Sequence, residues 1–330
     1  MSTQPPSIFT PYLSPSLQSH LSSSPVPIDI DSHARTALAR LQATALPNIG
    51  LIELVSSTAF TTLYEALYKS SFPRRAERER SDLITARLAA QAAGTRTGLA
   101  PYRIVGIRDK NDQAIGAAQF SVLSLAVSGF AVPYLQYIYI RPSSRRQDMS
   151  EVLHTFVLAV AAADAYASTA APAPSLSTTI TSVTVPFTLF ETEPPDHGHD
   201  TISRAYAAER SKIHTSTGGV ALVLRRHHDN KILSAHVQPG LERDDPPLTL
   251  VWVIRQSPNP GRTYEIKDIG KHLVAAYYRS LRDEGFPEAN IRRAERMVEE
   301  RCKGAEFHFM PLGDVKDITD MEHLDMYPSD

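Results

Sequence analysis

What the chain has little of narrows it first. Its 330 residues include one cysteine, Cys302, which excludes an intrachain disulfide framework and any zinc site built from several cysteines. Charge is almost balanced, at −2 net with 21% charged residues, so no bulk attraction to nucleic acid or an anionic membrane is expected. No Gly-x-Ser-x-Gly elbow, Walker-type phosphate loop or dinucleotide fingerprint occurs, which leaves triad-hydrolase, P-loop and Rossmann chemistry without support. The start shows no basic segment running into an apolar one, so no secretory signal is predicted. With the lone cysteine, this points to a reducing, cytoplasmic setting. Residues 113–140 lack charged side chains and are long enough to cross a bilayer. However, Gln119, Gly129, Pro133 and Gln136 interrupt them, and their residue types favour two buried strands joined by a loop.

Composition divides the chain into three zones. Residues 1–30 are Ser- and Pro-rich and low in charge, and without apolar periodicity they are expected to be a disordered lead. Residues 31–260 carry the strand and helix signals of an α/β domain. Residues 261–330 read as a helical extension, with helices over 266–283 and 287–303 and a last apolar piece at 306–310. Within the middle zone, 102–107 and 114–122 are strand candidates joined by the charged turn 108–113, a hairpin pattern. Further strands are expected at 48–55, 178–193, 218–226, 232–237 and 248–255. Helices are expected at 31–45, 58–71 and 201–214.

The richest stretch is 134–164. Tyr134 to Ile140 is aromatic and β-branched, which suits a buried strand. Arg141-Pro142 ends it, because proline has no ladder donor and biases its predecessor to an extended conformation. A basic turn follows, and then Met149, Val152, Leu153, Phe156, Val157 and Val160 recur at helical spacing. Asp148 is expected to be the N-cap, with Glu151 in the first turn. Strand, basic turn and helix start make a place to hold an anion, because unpaired amides and the positive end of the helix dipole meet there.

This segment resembles the acetyl-CoA-binding core of the GNAT superfamily of N-acetyltransferases, whose turn follows Arg-x-x-Gly-x-Gly/Ala. Arg145 matches the arginine, while Asp148 and Ser150 stand where the small residues belong. The element order over residues 48–255 is similar to that fold: a mixed, mainly antiparallel central sheet flanked by helices. The resemblance implies that Arg145, Arg146, Gln147, Asp148, Met149 and Ser150 hold the cofactor pyrophosphate. It also implies that Ile138, Tyr139 and Ile140 lie along the pantetheine arm and thioester, and that the region 72–88 lines the acceptor pocket. Family members commonly place an acid tyrosine four residues before a glycine, and His214 occupies that spacing from Gly218.

Transfer to an amine needs a base and a proton donor. Glu191 or Glu193 at a strand end could take the ammonium proton, and His214 could protonate the departing thiolate. The expected cosubstrate is acetyl-CoA, with no metal. The expected acceptor is an amine on a small molecule or protein, with neither nucleic acid nor membrane as partner and a homodimer allowed. Asp196-His197-Gly198-His199-Asp200 holds two imidazoles and two carboxylates, but loop neighbours seldom converge as metal ligands without help from elsewhere. The rival reading is a binding or protein-interaction module of the same fold with no catalysis, favoured by Asp148 in the phosphate turn.

Overall fold

The expected hairpin and the strand after it form the centre of the first of two units into which the computed structural model divides. Residues 6–73, 78–127, 129–170, 183–195, 197, 201–243 and 245–317 are described. Unit 1 comprises Met1–Ser124, Ser128–Pro186 and Ser257–Gly261; unit 2 comprises Leu125–Val127, Phe187–Gln256 and Arg262–Asp330. Both are built on antiparallel strands flanked by helices, the α/β class expected from the pattern.

In unit 1, β1 (Leu51–Leu54), β2 (Tyr102–Arg108), β3 (Ala114–Ser124) and β4 (Ala131–Ile140) pair antiparallel in chain order. The β2–β3 turn closes on Asp109, whose carboxylate accepts the amides of Asn111 at 2.9 Å and Gln113 at 3.0 Å. Gln119 faces Tyr137 while Phe120 faces Leu135, so Gln136 is an extra residue and β4 carries a bulge there.

The long helix after β4 is buried on more than one side. Val152, Leu153, Phe156, Val157 and Val160 are buried, and so are Leu158, Ala159, Ala161, Ala162 and Ala163 between them. A helix that is apolar all round must be covered all round. The sheet covers one side, and the N-terminal segment covers another. That segment holds α1 (Pro15–Ser22), α2 (Ile30–Ala34) and α3 (Leu38–Thr44).

Here the structure differs from the disorder expected of residues 1–30. From residue 6 onward the lead is ordered, with Phe9, Leu17 and Leu21 buried. Phe9 meets Phe156 edge-on at 5.3 Å. Ser14 caps α1 by accepting from Leu17 N, and its own amide donates to Ile52 O at 2.8 Å. A few apolar anchors suffice because an apolar helix face awaits them.

The remaining unit 1 helices are α4 (Ser57–Ala59), a π-helical stretch Phe60–Tyr64, α5 (Glu65–Ser71), α6 (Ser81–Ala92) and α7 (Met149–Ala170), the 22-residue helix just described. Toward its far end, buried Asp164 accepts both arms of Arg103 from β2, Nε at 2.9 Å and Nη2 at 2.6 Å, and His20 Nε2 of α1 lies 3.3 Å away. Burial pushes the Asp164 carboxyl up, but Arg103 and His20 together outweigh it and hold the group below the ordinary carboxylate value.

Unit 2 contains β5 (Phe187–Thr192), α8 (Thr201–Ser216), β6 (Gly219–Arg226), β7 (Ile232–Ser234), β8 (Val251–Gln256), α9 (Ile266–Glu284), α10 (Glu288–Cys302) and β9 (Ala305–Pro311). β5 pairs β8, and β8 pairs the start of β6. β7 continues along that edge and β9 runs along the other. The C-terminal helices were expected as an extension starting at residue 261. They fall instead within the same unit as these strands, and the last apolar piece is a paired strand. Helix α9 buries Ile269, Leu273, Ala276, Tyr277 and Leu281 and stops at Gly285, whose φ of 89° a side chain would disfavour.

Asp164→Asn removes one member of a buried charge pair and is expected to cost about 3 kcal/mol in urea unfolding. The carboxyl's contribution is complete above its ordinary value of 3.8 and is lost as pH falls through its lower folded value. The variant should therefore lose less stability than the wild type on acidification below pH ~4.

Candidate functional site

Between β4 and α7 the chain makes a short 3₁₀ turn, Pro142–Ser144, and then two left-handed residues, Arg146 at φ 61° and Asp148 at φ 56°. Backbone hydrogen bonding stops at Arg145 N, which donates to Pro142 O, and resumes at Glu151 N and Val152 N, which donate to Asp148 O. Among the described residues, no backbone or side-chain acceptor takes the amides of residues 146–150. Arg145 and Arg146 are exposed beside them, and Met149 is buried as the first anchor of α7. The left-handed conformation at Asp148 is the one a glycine would adopt without strain.

Asp148 precedes α7 as expected of an N-cap, yet its carboxylate does not cap. Oδ2 accepts from Thr44 Oγ1 at 2.8 Å and lies 3.4 Å from Arg40 Nε, both on α3. A capping residue sits in the extended region, whereas left-handed Asp148 turns its side chain toward α3. The carboxylate is thus drawn off the amides it would otherwise occupy.

Of the strand residues, Ile138 and Ile140 are half-buried and Tyr139 is buried. Tyr139 accepts from Gln119 Nε2 at 3.1 Å, and burial raises its hydroxyl pKa. Tyr137 packs against Phe72 at 5.1 Å and Tyr68 at 5.2 Å. Its hydroxyl accepts the amide of Glu79 at 2.9 Å, and Glu79 in turn pairs with buried Arg87. In the region 72–88, implied as the acceptor lining, Phe72 is therefore packed among aromatic rings and Glu79 is engaged in an ion pair. Residues 74–77 lie outside the described part.

The candidate catalytic residues Glu191, Glu193 and His214 all lie in unit 2, and the strand register sets Glu191 apart from His214. Successive residues of a strand point to opposite faces, and cross-strand partners share a face. Glu191 is paired with Trp252, and Phe190 with Val253. Buried His236 stacks on Trp252 at 4.8 Å, meets Tyr277 of α9 edge-on, and places Nε2 2.8 Å from Glu191 Oε1. His214 belongs to the other face, edge-on to Phe190 at 5.3 Å. Glu193, just past β5, pairs with Arg210 of α8 at 3.1 Å. Glu193 and His214 thus share the α8 side, and Glu191 does not.

Burial, and after it the charges of Arg210 and Arg255, lowers His214 from 6.5 to about 4. Among the described residues no group of three or more His, Cys, Asp or Glu side chains could hold a metal ion. Residues 196 and 198–200 of the histidine loop lie outside the described part. No described helix is long and apolar enough to cross a membrane.

No protein family and no curated protein matches the chain. Solved structures similar to parts of it include two N-acyltransferase-type chains. One is a GCN5-related glucosamine N-acetyltransferase region of a fungal multi-domain GH3 β-N-acetylglucosaminidase, at 13% identity and TM-score 0.32, covering 54% of this chain and 18% of that one. The other is a candidate acyl-CoA N-acyltransferase from Klebsiella pneumoniae, at 18% identity and TM-score 0.25, covering 56% and 92%. The chain thus spans under a fifth of the first structure's length. At these TM-scores neither likeness bears on what the protein does.

Sequence reading missed Thr44 and Arg40 around Asp148, and His236, Trp252 and Tyr277 around Glu191. The Thr44–Asp148 pair is separated by 104 positions, so no local pattern could have marked it. A buried histidine between apolar neighbours in Ser234–Val237 was the one signal for His236.

Because the folded His214 pKa is depressed, its contribution is complete above 6.5 and is lost as pH falls toward about 4. His33, also lowered to about 4 by burial, acts in the same direction. Urea unfolding at pH 7 and pH 5 should show His214→Leu losing about 2 kcal/mol less than the wild type over that interval. Equal losses would show that His214 is protonated normally in the fold.

Proposed function

We propose that the chain is an N-acyltransferase of the GNAT type, which takes an acyl group, acetyl in the simplest case, from a CoA thioester to an amine. The observation that carries this reading is the 145–150 turn. Five consecutive amides that no described residue accepts, two left-handed residues and the start of a long buried helix put a run of unclaimed donors in one turn. A pyrophosphate is the complementary ligand, since charge-assisted bonds to its oxygens would satisfy those amides. The guanidinium groups of Arg145 and Arg146 add counter-charge from solvent. The resemblance of this segment to the acetyl-CoA core extends the reading from pyrophosphate to the thioester.

In the transfer itself, the neutral amine nitrogen attacks the thioester carbonyl, the C–N bond forms, and the C–S bond breaks to release thiolate. The nitrogen gives up a second proton, which balances the one the thiolate takes. The ammonium proton must leave before attack, and Glu191 and Glu193 are the candidate acceptors on chemistry alone. Burial and the neighbouring arginines disfavour the imidazolium of His214, which leaves solvent as the alternative proton donor to the thiolate.

A second reading, a CoA-compound binding module without transfer, is favoured by the packed aromatic wall at Tyr68, Phe72 and Tyr137 and by the separation of Glu191 from His214. Calorimetric titration with acetyl-CoA, beside CoA and ATP, tests what both readings share. Micromolar affinity restricted to CoA compounds is expected, and no binding at millimolar ligand overturns both. Transfer to a panel of primary amines then separates them. Asp148→Gly removes a negative charge beside the phosphates and relieves a left-handed non-glycine residue. It should tighten acetyl-CoA binding by roughly three- to tenfold.

A further inference from the structure

Helix α3 meets the turn that leads into α7. Its last residue, Thr44, has its hydroxyl 2.8 Å from two acceptors, Arg40 O in its own helix and Asp148 Oδ2 in the turn. The carboxylate is the stronger acceptor, because charge assistance favours it. Arg40 Nε, 3.4 Å from the same oxygen, adds attraction. Asp148 has two conformations open to it. In one, the left-handed conformation observed, its side chain reaches α3 and the turn amides stay unclaimed. In the other, with extended φ and ψ, it would be an ordinary N-cap, and its carboxylate would accept the amides of Ser150 or Glu151.

We infer that Thr44 and Arg40 are positioning residues that hold Asp148 in its left-handed, non-capping conformation and so keep the 146–150 turn open to a phosphate-bearing ligand. The inference rests on the acyl-CoA reading for the identity of that ligand, but the conformational claim stands on the Thr44–Asp148–Arg40 geometry. It accounts for an aspartate at a position where its charge alone would be unfavourable: the carboxylate is spent on α3 rather than on the turn. It also makes the N-terminal segment a determinant of affinity at a turn about a hundred residues away.

Two measurements decide it. In the first, acetyl-CoA affinity is compared for Thr44→Val, Thr44→Ser, Arg40→Met and Asp148→Gly, with each α3 variant also made in the Asp148→Gly background. Thr44→Val and Arg40→Met should each weaken binding, Thr44→Val by roughly three- to tenfold, while Thr44→Ser, which keeps the hydroxyl, binds like the wild type. In the Asp148→Gly background the same changes should have no effect, since there is no carboxylate left to hold. An equal loss in both backgrounds would mean that α3 acts merely by supporting the fold, and the inference fails.

The second measurement needs no ligand. Amide exchange and proton shifts of Ser150 and Glu151 are followed by NMR in the wild type and in Thr44→Val. The released carboxylate should cap them, slowing exchange and moving the resonances downfield. Unchanged amides overturn the clamp whatever acetyl-CoA does. Altered amides with no acetyl-CoA binding to any variant uphold the clamp and sink the acyl-CoA reading alone.

Discussion

Helix α7 is apolar on both of its broad faces, and unit 1 is organised by the need to cover them. The sheet supplies one cover and the N-terminal segment the other, and a polar contact secures each end. Near its C-terminal part, Arg103 and His20 converge on Asp164. At its start, Thr44 and Arg40 converge on Asp148. The two ends differ in kind. Asp164 is buried with a bidentate arginine, and breaking that pair costs stability because a charge is left without water or partner. Asp148 is half-exposed, so its contacts are individually weak and bias a local conformation rather than hold up the fold.

That difference connects the fold to the proposed chemistry. Burial anchors the helix into which the turn leads, and Thr44 and Arg40 hold Asp148 so that amides 146–150 stay unclaimed. Such preorganised donors serve a phosphate better than mobile ones, since little ordering remains to be done on binding. The candidate proton-handling groups in unit 2 are fixed just as firmly but are divided by the sheet. Glu191 is tied to the stacked His236–Trp252 pair on one face, and Glu193 and His214 gather around Arg210 on the other.

Much of this could be read from the residues, and the failures have physical causes. The strand, turn and helix of 134–164 were legible because aromatic and β-branched residues, Arg141-Pro142 and the apolar spacing all agree. The β2–β3 hairpin was legible from its charged turn. The order of residues 6–30 was hidden by their Ser- and Pro-rich composition. The missing clue lay elsewhere, in the unbroken run Phe156–Ala163, which leaves no polar face for solvent and so demands a second cover. Adjacent positions 190 and 191 must point apart in any strand, so the separation of Glu191 from the Phe190 side was legible once 187–192 was taken as extended. Which of the two sides His214 occupies depends on how α8 packs, and no spacing in the sequence reveals it. The Asp148 carboxylate was read as a cap because its nearest amides are local. Its actual partners come from α3, and only the folded chain brings them close.

The central claim is that the turn at 145–150 holds the pyrophosphate of a CoA compound. It is tested most directly by following backbone amide resonances of the 15N-labelled protein as coenzyme A is added. The account predicts that the amides of residues 146–150 move together and saturate at one affinity, with the largest shifts at left-handed Arg146 and Asp148 and their successors. If coenzyme A leaves these resonances in place at saturating concentration, or moves only amides elsewhere, the turn is not the phosphate site and the acyl-CoA reading falls with it.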